Sequence, residues 1–275
     1  MQNYKLIACD LDGTLVSTDL TISADNKKAI SEFKKMGVHF VPCTGRTLSE
    51  MQEVVKNPDI RYIIYSNGAA IWDKETDKTT FLGFSKETAA ELMDILLSFD
   101  CFIIIHYRGE TFVDIDLSDD EVEKYNVSYN VQELIRDFAN KTDNLKNTVC
   151  AIDGIESITV FFCNTEDTET CRKLLLNTEK CAVVDGWNCN LEIFRKDTSK
   201  GNALCKISEM LGIDLKDTIS MGDSGNDISM TKVSGLGIAV SNGAEALKEV
   251  ADEIICSNDE SAAKYVLENF FEVEI

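Results

Sequence analysis

The apolar run Leu6-Ile7-Ala8-Cys9 stops abruptly at "DLDGTL", which sets Asp10 and Asp12 two residues apart with Gly13 directly behind them. In a parallel sheet, side chains that leave the carboxyl end of a strand face the crevice where ligands bind. Both acids would stand there. Gly13 lets the backbone turn away sharply, and Thr14 can offer a hydroxyl or a backbone donor nearby. Two carboxylates in one dry spot raise the pKa of one of them unless a cation neutralises the pair. That leaves a proton-sharing dyad or a metal site. Two solvated loop acids are the bland alternative, weakened by the apolar run that leads straight into them.

Beyond the opening run the chain alternates between strand and helix signals. In "TISADNKKAISEFKKMGV", Ser23 can cap a helix on which Ile30, Phe33 and Met36 recur at helical spacing. Val38–Cys43, a helix from about Ser49 and Tyr62–Tyr65 continue the pattern of a parallel sheet covered by helices. From about Phe84 the rhythm changes. The spacing predicts a helix over Glu87–Phe99, a hairpin of Phe102–Tyr107 and Thr111–Ile115 around "RGE", and an acidic helical stretch. Ser157–Phe162, a helix over Asp167–Leu176, and the strand pair Ala182–Val184 and Asn190–Phe194 around "DGWNC" then repeat the idea. After Lys200 the first rhythm returns, with helices at Asn202–Leu211, from Asp227 and at Ala244–Val250, and strands at Thr218–Met221, Gly237–Val240 and Glu253–Cys256. The expected fold is α/β: a Rossmann-like core with a parallel sheet, residues 1–83 and 190–275, interrupted by an inserted α+β domain on an antiparallel sheet, residues 84–189.

Three further polar interruptions fall at strand ends or helix starts. "VPCTGR" places Thr44, Gly45 and Arg46 after Val41: a hydroxyl, a closely approachable backbone and a guanidinium, which together suit an anion such as phosphate. "SKGNAL" puts Lys200 at the start of a helix, where a cation opposes the helix dipole. A residue set against its local preference invites a functional reading. "SMGDSGNDISM" adds Asp223 at the end of a strand, with Gly222, Gly225, Asn226 and Asp227. A hard dication among carboxylate oxygens would settle the repulsion between Asp10 and Asp12, and Mg²⁺ suits a site that shares its ligands with phosphate.

Composition narrows the partners. The 275 residues carry a formal net charge of -21, which opposes nucleic-acid backbones and anionic membranes. No segment approaches the ~20 apolar residues of a membrane span, and the opening "MQNYKLIACD" lacks a signal-peptide pattern, so a cytoplasmic chain is expected. The ten cysteines mostly lie within apolar runs, as buried reduced thiols do. With His39 and His106 the only histidines, neither a Cys/His zinc site nor a serine-hydrolase triad has support.

"DLDGTL", "TGR", "SKGNAL" and "GDSGNDISM", in this order, resemble the four motifs of the haloacid dehalogenase-like phosphohydrolase superfamily, and the long insertion resembles the cap of its Cof-type sugar-phosphate phosphatase branch. The resemblance implies Asp10 as nucleophile, giving an aspartyl-phosphate, and Asp12 as the acid and base that serves the leaving group and then the water. It implies Thr44, Gly45, Arg46, Lys200 and Asn226 around the phosphoryl oxygens. Mg²⁺ would be held by Asp10, Asp223 and the main-chain carbonyl of Asp12, with Asp227 in support. The expected activity is Mg²⁺-dependent hydrolysis of small phosphorylated metabolites, sugar phosphates foremost, by a monomer or weak homodimer whose cap sets specificity. Phosphoryl transfer between substrates and a phospho-Asp signalling module stand as alternatives. His106 and Arg108 sit near the hairpin, where a sugar is within reach and a surface role is the plainer reading. Asn67 in "SNGA" reads first as a turn former. Arg195 and Asp197 depart from the family's pattern, standing where a proline and a glycine are usual.

Overall fold

Every side chain of the opening strand β1 (Leu6–Cys9) is buried, as in an interior strand of a sheet covered on both faces. The computed structural model describes residues 4–114, 117–185 and 189–275. The chain divides into a first unit, Met1–Arg46, Glu50–Thr80 and Ser199–Ile275, and a second, Thr47–Ser49 with Phe81–Thr198.

Along the chain β1 is followed by α1 (Ala24–Lys35), β2 (His39–Pro42), α2 (Gln52–Lys56), β3 (Tyr62–Tyr65), β4 (Ala70–Asp73) and β5 (Lys78–Phe81). The second unit continues with α3 (Lys86–Leu96), β6 (Cys101–Tyr107), β7 (Glu110–Val113), α4 (Asp119–Lys124), α5 (Tyr129–Phe138), β8 (Ala139–Lys141), α6 (Leu145–Ala151), β9 (Ser157–Phe162), α7 (Thr165–Asn177), β10 (Cys181–Asp185) and β11 (Asn190–Arg195). The first unit is completed by α8 (Lys200–Leu211), β12 (Thr218–Gly222), α9 (Ile228–Val233), β13 (Leu236–Val240), α10 (Glu245–Lys248), β14 (Glu253–Ile255) and α11 (Ala262–Phe270).

In the first unit five parallel strands run in the order β14-β13-β12-β1-β2. Cys9 stands opposite Met221 on one side and Pro42 on the other. The register therefore brings Asp10, Cys43 and Gly222 to one carboxyl edge. Ser23 caps α1 as expected, its Oγ accepting from the Asn26 N–H, a contact worth about 1 kcal/mol. The third strand departs from expectation: β3 meets the parallel sheet through a lone bridge, Cys43 to Ile64, and pairs antiparallel with β4. Left-handed backbone at Asn67 and Gly68 turns the chain back there.

The second unit is a six-stranded sheet, β10-β11-β9-β6-β7-β8, antiparallel except for the β7–β8 pair. Alternation along β6 sends Ile103 and Ile105 into one apolar cluster with Leu92, Val149 and Leu175 of three helices. Phe102 and Ile104 enter another with Tyr125, Val127 and Ile135. The "RGE" hairpin forms, with Arg108 and Gly109 both at positive φ. Strand β7 ends at Val113 rather than Ile115, which lies outside the described residues, as does the centre of "DGWNC". The boundary expected at 190 moves to 199, because β11 is hydrogen bonded between β9 and β10 and so belongs to the second unit. No helix among the described residues is long and apolar enough to cross a membrane.

Candidate active site

Asp10 leaves β1 with its N–H bonded to the Met221 carbonyl at 2.9 Å and its side chain almost wholly enclosed. Its partner arrives from far along the chain. Lys200 Nζ donates to Asp10 Oδ1 and to Asp227 Oδ1, each at 2.6 Å, and the lysine is 1% exposed. Close packing brings this cation in against its dipole preference. A Cβ on Gly201 would stand 2.4 Å from the Ser229 carbonyl oxygen, so only glycine lets the start of α8 settle against α9. The other oxygen of Asp227 accepts from the backbone N–H groups of Asp223 and Ser224 at 3.0 and 2.9 Å. Burying these charges costs several kcal/mol per ion unless each is paired and hydrogen bonded, and here each is.

Asp223 is drawn beside the turn that comes after Asp10. Gly13 has φ +76°, and a Cβ on it would lie 2.6 Å from Asp223 Oδ2. Oxygens of Asp10, Asp223 and Asp227 lie within 4.8 Å of one another. Three carboxylates face one ammonium, which leaves excess negative charge in a buried place. Burial pushes Asp10 up to about 7, with Lys200 pulling it down and Asp227 and Asp223 pushing it further up. Asp223 is raised as well, by burial first and then by Asp227. For Lys200, burial would lower the pKa, but the attraction of Asp10 and Asp227 wins and keeps it charged. The donor set fits a divalent cation: hard oxygens in excess of their counter-charge, with Asp10 and Asp223 as carboxylate ligands. Asp227 differs, since both of its oxygens already have donors.

Asp12 stands apart from that cluster. Its carboxylate receives Arg46 Nε at 2.8 Å and Arg46 Nη2 at 2.5 Å, a bidentate pair with the Asp12 side chain 51% exposed. Its carboxylate is thus engaged by Arg46 and is not among the three clustered carboxylates. Arg46 Nη1 also donates to the Glu50 carbonyl, so this guanidinium is engaged rather than aimed at open space. Thr44 is buried, and its Oγ1 accepts the Arg46 N–H at 3.1 Å. Gly45 lies under Asn67, whose Oδ1 would be 3.2 Å from a Cβ there. Thr14 is buried with its hydroxyl unpartnered.

Asn67 proves to be more than a turn former. Its N–H donates to the Thr44 carbonyl, and its Oδ1 accepts from Asn226 Nδ2 at 3.0 Å, tying the second and fourth motifs together. Asn242, passed over by the sequence-based assignment of site residues, donates through Nδ2 to the Gly13 carbonyl at 2.8 Å. A signal for both existed, because "SNGA" occurs twice, at Ser66–Ala69 and Ser241–Ala244. Each asparagine comes after a strand of the first unit and braces a loop at the carboxyl edge.

The profile of the haloacid dehalogenase-like hydrolase family matches residues 7–267. A 5-amino-6-(5-phospho-D-ribitylamino)uracil phosphatase of Bacillus subtilis, YwtE, is 28% identical over 96% of this chain and 97% of its own length. A putative phosphatase of Buchnera aphidicola is 31% identical over 98% of this chain and 99% of its own. Among solved structures, the subclass IIB sugar phosphatase BT4131 superposes with a TM-score of 0.73 at 20% identity, covering 98% of this chain and 100% of that one, which speaks for the fold alone. With the motifs gathered at one sheet edge and the profile spanning nearly the whole length, the chain belongs to the haloacid dehalogenase-like hydrolase family and is a phosphatase enzyme of it.

Proposed function

We propose that the protein hydrolyses small phosphorylated metabolites, sugar phosphates foremost, through an aspartyl-phosphate on Asp10 with Mg²⁺ as cofactor. The observation that carries this reading is the buried Asp10 carboxylate held at one oxygen by Lys200, which orients the group and leaves its other oxygen for attack on phosphorus. In the first step a bond forms between Asp10 and phosphorus while the ester bond breaks, and the departing oxygen takes a proton from Asp12. In the second, Asp12 accepts a proton from water as that water attacks phosphorus, orthophosphate leaves and the Asp10 carboxylate is restored. Thr44, the backbone at Gly45, Lys200 and Asn226 are assigned to the phosphoryl oxygens, where positioning and charge stabilisation supply most of the catalysis. Mg²⁺ held by Asp10, Asp223 and the Asp12 carbonyl would neutralise the carboxylates and the phosphoryl charge.

The bidentate pair between Arg46 and Asp12 fits a role for Arg46 in both places. A phosphoryl group that draws the guanidinium to itself releases the Asp12 carboxyl for proton transfer. The second unit, inserted between the second and third motifs, is assigned the choice of leaving group. Sugar phosphates are favoured because the neighbouring fold BT4131 is described as a sugar phosphatase, while YwtE acts on a phosphorylated ribityl compound.

Release of orthophosphate from a set of hexose and pentose phosphates tests the proposal. Turnover should require Mg²⁺, fall to background in EDTA and return on adding Mg²⁺. An isomeric phosphate ester as the main product would instead mark a phosphotransferase, and equal turnover with and without the cation would refute the metal assignment.

A further inference from the structure

We propose that the second unit carries an oxyanion site of its own, in which the Arg195 guanidinium and the Lys196 ammonium hold a phosphate group. Both residues line a cleft of about 680 Å³ together with Ser85 and Thr88 at the start of α3. The cleft is framed by Phe81–Phe84 and by Arg195–Asp197, the stretches where the chain enters the second unit and leaves it. An anion bound there ties these two ends together.

Arg195 is the reason to expect a ligand. Its Nε is buried with no acceptor. Among the described residues the guanidinium makes neither a hydrogen bond nor an ion pair, in a chain that has 48 Asp and Glu residues. A guanidinium is always charged and offers five N–H donors and no acceptor, and buried donors are almost always matched. The carboxylates nearby do not match it. Asp153 accepts the Lys86 N–H at 2.9 Å, and Lys180 pairs with Glu91. Glu179 and Asp197 line the same cleft, and neither is bonded to Arg195. An anion entering the cleft would supply the acceptor that the outer N–H groups of this guanidinium lack. Two adjacent cations and the hydroxyls of Ser85 and Thr88 suit a phosphate group better than a monoanionic carboxylate, since phosphate brings more charge and more acceptor oxygens. Its source is either free orthophosphate or a small phosphomonoester.

The test uses the full chain labelled with ¹⁵N and tracks the Arg195 Nε–H signal, assigned by its loss in Arg195→Lys or, should that variant fold poorly, in Arg195→Gln. Inorganic phosphate is titrated against sodium chloride at matched ionic strength, in EDTA and in the Asp10→Asn background, so that binding beside Asp10 cannot supply the response. The expected result is a saturable shift of this signal by phosphate and not by chloride, with affinity weakened about tenfold or more in Lys196→Gln. A hexose phosphate that saturates the shift at lower concentration than orthophosphate identifies the ester as the source, and the reverse order identifies the free ion. A signal that phosphate moves no more than chloride does overturns the proposal, whatever the outcome for catalysis at Asp10.

Discussion

Lys200 and Arg195 are close in sequence, on either side of the junction between the two units, yet their charges meet opposite surroundings. Lys200 is enclosed by Asp10 and Asp227, and Asp227 is itself held by two backbone N–H groups. Arg195 has a buried Nε and no partner among the described residues, and on the same strand Glu192 is raised by burial with no charge to offset it. The first unit thus carries a preorganised polar network at its sheet edge. The second unit packs around two apolar clusters and leaves the Arg195 guanidinium without a partner among the described residues.

Breaking the network should produce the largest effects. Asp10→Asn keeps the shape of the side chain and removes the nucleophile, so kcat/KM for a phosphomonoester should fall about 10⁴-fold or more while the variant stays folded. Activity near wild type would break the contrast at its root. Lys200→Met strands two buried carboxylates and should cost about 3–5 kcal/mol in urea denaturation. Arg195→Gln leaves no partner behind, so its change in stability should stay within about 1 kcal/mol. Similar losses from these two substitutions would erase the distinction between a paired and an unpaired cation.

The smallest effect concerns Glu192. Its folded pKa is raised, so its contribution is present at pH values below the ordinary carboxylate range and is lost as pH rises through the folded value. Glu192→Gln removes that loss. The variant should gain about 2 °C or more in Tm at pH 8 and nothing near pH 4, read from thermal melts across that range. A gain independent of pH would show that burial of the charge is not the cause.

The first unit was far easier to read from sequence than the second. Its strands are short apolar runs that give way to polar residues or glycine, so element and site announce themselves together at Asp10, Thr44 and Asp223. The β3–β4 hairpin was missed because Tyr62–Tyr65 looks the same in either sheet. What diverts it is the left-handed backbone at Asn67 and Gly68. In the second unit β8 and α6 are too short to give a periodic signal, whereas α5 carries one that the sequence-based expectation leaves out, Val131, Leu134, Ile135 and Phe138 at helical spacing. Spacing alone ends the second unit at residue 189, because the strand pairing that joins β11 to β9 and β10 is not visible in it. At the site, the residue types were legible but their partners were not. Nothing in "DLDGTL" says that Asp10 will face Lys200 while Asp12 faces Arg46.

That division between the two acids is the centre of the account, and trapping the intermediate tests it most directly. Asp12→Asn removes the base that activates water, while an aryl phosphate needs little help from an acid to leave. Mixed with an aryl phosphate and Mg²⁺, then quenched in acid, this variant should yield a burst of aryl alcohol and a phosphoryl group located on Asp10 by peptide mass spectrometry. Sustained turnover of the ester with Asp10 unmodified would contradict the assignment.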